Sequence, residues 1–91
     1  MPNQRQQLTQ RDIDDALLET KYKLVYRLQQ KGMGSYASVH EILGILKQEL
    51  EEYNDAVHQR TSENDKVEEL KDIAIAAIFG IASIRSGGID W

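Results

Sequence analysis

Apolar positions divide the chain into three stretches of helical periodicity. Ile13, Leu17, Leu24 and Leu28, joined by Leu18 and Val25, recur at helical spacing and predict a first helix up to about Gln30. Thr9, with Asp12 three positions on, is its expected amino-terminal cap. The segment Lys31-Gly32-Met33-Gly34-Ser35 then breaks the pattern and reads as a turn between helices, because no phosphate-loop motif is present and no strand precedes it. Ser38 and Glu41 form a capping box, with Ala37 and Ile42 placed as a hydrophobic staple, and open a second helix that runs to about His58, with Ser35 as the alternative, earlier start. Its core stripe is expected to be Val39, Ile42 or Leu43, Leu46, Leu50, Tyr53 and Val57. A second line, Ile45, Glu49, Glu52 and Ala56, carries carboxylates where an apolar stripe would continue. After a turn from Arg60 to Asp65, with Ser62 as cap, the third helix runs from about Glu63 to Ser86 and stops at Gly87-Gly88.

The first part of the third helix is amphipathic. From Ile73 to Ile84 it is apolar on nearly every face, with Ala74, Ala76, Ala77, Gly80 and Ala82 among the isoleucines. A helix apolar all round needs neighbours on every side, and three helices from one chain of 91 residues hardly enclose it. The expected fold is therefore all-α: a single domain over residues 1–91, its polar residues 1–8 flexible, forming a four-helix or larger bundle by homo-oligomerisation. A homo-dimer or a dimer of dimers is the simplest assembly.

Composition removes several functions. A net charge of -4 and a pI near 5.1 leave no general basic surface, so sequence-independent nucleic-acid binding is not expected. The apolar run from Ile73 to Ile84 is shorter than the roughly 20 residues that span a bilayer, and the amino terminus has no apolar core of a signal peptide. No membrane partner is expected. The absence of cysteine is compatible with a reducing, cytoplasmic location.

Chemistry concentrates between Glu49 and Asp72. Glu49 with Glu52, and Glu69 with Asp72, are two acidic pairs at a spacing of three, which places each pair on one helix face. If those faces meet, the carboxylates converge and raise one another's pKa, while burial adds a desolvation penalty. Hard divalent cations compensate such a cluster because they prefer oxygen ligands. From spacing alone, a metal site and two solvated helix faces both account for these residues. A di-iron bundle would need E-x-x-H elements, for which the chain offers only Asp55-Ala-Val-His58.

The segments Q-E-L-E-E-Y-N-D-A-V, from Gln48 to Val57, and E-E-L-K-D-I-A-I, from Glu68 to Ile75, carry a family resemblance. Their E-x-x-E and E-x-x-D elements resemble the signature of the all-α nucleoside triphosphate pyrophosphohydrolases of the MazG-like superfamily. The segment from His40 to Tyr53, H-E-I-L-G-I-L-K-Q-E-L-E-E-Y, looks like the short, phage-associated branch. The resemblance implies hydrolysis of a ribo- or deoxynucleoside triphosphate between the α and β phosphates, to monophosphate and pyrophosphate. It also implies that Glu49, Glu52, Glu69 and Asp72 hold Mg2+, with Mn2+ as a substitute, and that Glu52 orients or deprotonates the attacking water. Family members commonly carry phosphate- and base-gripping groups on a further helix. Here the expected substrate-binding residues are Lys21, Tyr22 and Lys47, with Lys23, Arg27 and Arg85 as further cations and Tyr26, Tyr36 and Trp91 as further stacking rings. The competing expectation is a non-catalytic helical interaction module that keeps a vestigial acidic metal site.

Overall fold

The computed structural model describes residues 5–89, so Trp91 and the first four residues of the polar amino terminus lie outside the described residues. Three helices follow in order, α1 (Gln10–Lys31), α2 (Val39–His58) and α3 (Glu63–Ser86), with no strand among the described residues. Each helix begins at a hydroxyl residue that satisfies an amide the helix itself leaves open. At α1 the box is complete: the Asp12 N–H donates to Thr9 Oγ1 at 3.1 Å, and the Thr9 N–H donates to Asp12 Oδ2 at 2.8 Å. At α2 it is shifted by one residue. Glu41 N–H donates to Ser38 Oγ at 3.1 Å, but the Glu41 carboxylate reaches past Ser38 to accept from the Ala37 N–H at 2.6 Å. Ser62 caps α3 by accepting from the Asp65 N–H at 3.1 Å.

The stops are equally local. Gly87 takes a left-handed conformation, φ 77°, at the end of α3. Between α2 and α3 the tight reversal is closed on one carbonyl, as the Thr61 N–H and hydroxyl both donate to the Ala56 oxygen, at 3.2 and 3.1 Å. So short a connection makes α2 and α3 antiparallel neighbours.

α2 packs along α3, whereas α1 leans on α3 alone and makes no close approach to α2. The buried apolar residues are small or central: Ala56 of α2, with Ile75 and Ala76 of α3. Gly80 lets the helices close further, since a Cβ there would lie 3.1 Å from Ile42 Cγ2. The loop between α1 and α2 is pinned to α3 by the Tyr36 N–H, which donates to the buried Ser83 Oγ at 3.1 Å, and by an edge-on contact of the Tyr36 and Phe79 rings at 4.9 Å.

Much of the expected core stripe is left uncovered within one chain. Ile13, Leu17, Leu18 and Val25 of α1, Val39, Leu43, Leu50 and Val57 of α2, and Ile78, Ile81 and Ile84 of α3 are all exposed. The periodicity that places them on apolar faces is present, but α1 and α2 each pack against α3 alone. Among the described residues no helix is long and apolar enough to cross a membrane.

Candidate metal centre

One face of α2 presents Glu49 and Glu52 a turn apart, and the facing turns of α3 present Glu69 and Asp72. The antiparallel register brings the pairs together. One carboxylate oxygen from each of the four residues lies within 4.8 Å of the others. Glu52 is the exposed member, while Glu49, Glu69 and Asp72 are half-buried. Ala56, one turn beyond Glu52, is buried, so α2 stays close to α3 at that end.

Two oxygens of these carboxylates lack any partner. Glu49 Oε2 and Glu69 Oε1 are buried and accept no hydrogen bond. Buried acceptors are normally satisfied, and leaving one open costs about 1–3 kcal/mol. Burial, then repulsion from Glu52 and Asp72, raises the Glu49 carboxyl above the usual glutamate range. Burial likewise raises Glu69, followed by repulsion from Asp72 and Glu52. The cluster could hold a metal ion. Its donors fit one: four carboxylates converge, two with orphaned oxygens, and a set made only of oxygen suits Mg2+ or Mn2+ rather than a soft metal.

On the opposite side, α1 lays two cations against Asp72. Lys23 Nζ is 2.8 Å and Arg27 Nη2 is 2.7 Å from the same oxygen, Asp72 Oδ1. Lys23 also donates to the Glu68 carboxylate at 2.9 Å and to the Glu68 backbone oxygen at 3.3 Å. Burial disfavours the Lys23 ammonium, but the hydrogen bonds to Asp72 and Glu68 outweigh it and lift its pKa above the ordinary lysine value. Glu68 receives Lys71 as well, at 2.6 Å. Hydrogen bonds from Lys23 and then Lys71 hold its carboxyl down at about 2. Glu68 is thus a structural acid that anchors cations, adjacent in sequence to Glu69 but opposite in pKa.

A cleft of about 410 Å³ opens beside the cluster, with Glu49 and Asp72 in its wall. Arg27, Lys31, Gln48 and Tyr36 supply its other polar edge, and Ile45, Ile75 and Phe79 its apolar floor. Such a cleft, apolar with a few directed polar groups and an acidic cluster at one side, has the character of a small-molecule site.

The four sequence-derived metal ligands are therefore brought to one place. Lys21, Tyr22 and Lys47 are exposed and do not line the cleft, and Tyr26 and Arg85 are exposed too. Of the further cations, Lys23 and Arg27 reach the carboxylates, and of the further rings Tyr36 reaches the cleft. Lys31, from the same basic end of α1, also reaches the cleft, and Gln48 joins it without having been singled out as ligand-binding, although it directly precedes the first acidic pair. Neither a family model, nor a curated protein, nor a solved structure matches the chain.

Proposed function

We propose that this chain is a Mg2+-dependent nucleoside triphosphate pyrophosphohydrolase, with Mn2+ as an alternative ion, acting as a homo-oligomer in the cytoplasm. The observation that carries the reading is the convergence of Glu49, Glu52, Glu69 and Asp72 with two of their oxygens buried and unpartnered. A structural bundle has no need to gather four carboxylates at an energetic cost, whereas a hydrolase of polyphosphates does. The resemblance of the E-x-x-E and E-x-x-D segments to MazG-like enzymes supports the same reaction and implies a cut between the α and β phosphates.

Within that reading the chain's own residues divide the work. Glu49, Glu69 and Asp72 would hold the ion from the half-buried side and Glu52 from the exposed edge. A divalent ion, when bound, neutralises phosphate charge and acidifies nearby water. Glu52, the exposed ligand, would also orient the attacking water and accept its proton. Arg27 and Lys31 bring positive charge to the cleft edge, where a triphosphate needs it, and the Tyr36 ring offers a face or edge to a base. The uncovered apolar stripes on all three helices support a homo-dimer or dimer of dimers, since a second copy covers them with equally apolar surface.

Those stripes also favour the second reading, a helical module that binds a different protein. The convergent carboxylates distinguish the two. The deciding experiment offers ribo- and deoxynucleoside triphosphates with Mg2+, Mn2+ or EDTA and separates monophosphate plus pyrophosphate from diphosphate plus phosphate. Metal-dependent pyrophosphate release that is lost in Glu52→Ala is the expected result. A folded, metal-binding protein that turns over none of the panel would overturn the enzymatic reading in favour of the binding module.

A further inference from the structure

α1 is attached to the rest of the chain differently from α2. It contains no buried residue, touches only α3, and leaves Ile13, Leu17, Leu18 and Val25 exposed. Its polar contacts to α3 are ion pairs and the hydrogen bonds that accompany them. Glu19 meets Lys71 at 3.3 Å, Lys23 meets Glu68 and Asp72, and Arg27 meets Asp72. The innermost of these pairs converge on Asp72, whose side chain is only 13% exposed, with Lys23 at 20% and Arg27 at 34%. Partly desolvated charges of this kind are screened less by salt than surface pairs, so they contribute more to holding the helix.

Asp72 is also one of the four acids that the reading above assigns to the cation, and the present inference rests on that reading. One carboxylate faces two claims. Three cationic centres crowded on Asp72 repel one another, because a divalent ion there would stand beside both an ammonium and a guanidinium. Removing either side chain from Asp72 relieves that repulsion, and α1 then has only half-buried apolar residues such as Leu24 and Leu28, and no fully buried one, with which to stay seated.

We infer that Lys23 and Arg27 are the resident counter-ions of the acidic cluster and latch α1 onto Asp72, so that loading the cluster with a divalent cation unlatches α1. They act as positioning residues: they compete with the ion for Asp72 and tie the seating of a whole helix to its occupancy. Arg27 lines the cleft, so its release from Asp72 frees its charge for the anionic ligand assigned to that cleft.

The test reads Mn2+ affinity by calorimetry and backbone hydrogen exchange along α1, with no nucleotide present. Wild type should bind Mn2+ and lose protection across residues 20–30 of α1 while gaining it near Glu49 and Glu69. The double variant Lys23→Gln/Arg27→Gln should bind Mn2+ roughly tenfold tighter, and its α1 should exchange fast with or without the ion. Lys21→Gln removes one charge from the same helix without touching the latch, so its α1 should respond to Mn2+ as wild type does. If wild type binds Mn2+ but α1 exchange is unchanged or slowed, the latch is refuted while the metal site stands. If wild type binds no Mn2+ at millimolar concentration, the metal site itself fails and the latch with it. Should the double variant not fold, the wild-type exchange comparison decides alone.

Discussion

Replacing Glu49 by Gln should make the ion-free protein more stable and the ion-loaded protein less so. In the absence of a cation, the Glu49 carboxylate is half-buried, has one buried oxygen without a partner, and faces Glu52, Asp72 and Glu69. Glutamine keeps the volume and removes the charge. An open buried acceptor costs about 1–3 kcal/mol, and the amide relieves the charged part of that cost, so a gain of about 1 kcal/mol is expected in EDTA. For a domain of this size that corresponds to roughly 4–8 °C in melting temperature. With Mg2+ at about 100 times its Kd, wild type gains about 2.7 kcal/mol from binding. A variant whose Kd has risen about 100-fold gains only about 0.4 kcal/mol under the same conditions, so the order reverses. The assay is thermal unfolding of both proteins at one concentration, in EDTA and in Mg2+. A Glu49→Gln protein that melts below wild type in EDTA, or that Mg2+ stabilises as much as wild type, would refute the argument that this acid is strained for the sake of a cation.

Other perturbations separate the remaining parts of the structure. The raised carboxyls of Glu49 and Glu69 favour the folded state fully below the unfolded glutamate value of 4.5, and that contribution is lost as pH rises through their folded pKa values. Denaturant midpoints in EDTA should therefore fall for wild type relative to Glu49→Gln as pH rises from 4.5 to neutrality, and saturating Mg2+ should abolish the difference. Glu68 works in the opposite sense: its stabilisation is present above 4.5 and is lost as pH falls toward about 2, so Glu68→Gln should flatten the acid limb of the stability curve. Ser83→Ala leaves the Tyr36 N–H without an acceptor and should cost about 1–2 kcal/mol in urea unfolding, with the loop before α2 losing hydrogen-exchange protection. If the chain assembles as proposed, Leu17→Glu, on the uncovered stripe of α1, should shift sedimentation toward the monomer without loss of helix, whereas an unchanged sedimentation coefficient would remove α1 from the proposed subunit contact.

What the sequence made legible was mostly local. Thr9, Ser38 and Ser62 announce the helix starts and Gly87 the last stop, because a cap is a contact over a few residues and needs no tertiary information. The acidic pairs were legible for the same reason, and the short turn after His58 supplies the one tertiary fact they require, antiparallel register. The cations were harder. Lys21 and Lys23 are two positions apart on α1 and so point in widely different directions, and nothing in the spacing says which one turns toward α3. Ion pairing with Glu68 and Asp72 decides it, in favour of Lys23 and its neighbour one turn on, Arg27. The apolar stripes were legible as stripes but not as core. Leu17, Leu50 and Ile81 satisfy the helical period, yet which faces meet within the chain depends on how the helices pack.

The central claim, that Glu49, Glu52, Glu69 and Asp72 jointly bind a divalent cation, is tested most directly by anomalous diffraction from crystals grown with Mn2+. A strong anomalous peak enclosed by carboxylate oxygens of all four residues is the expected result. Well-ordered crystals with those four carboxylates in place and no peak between them would contradict it.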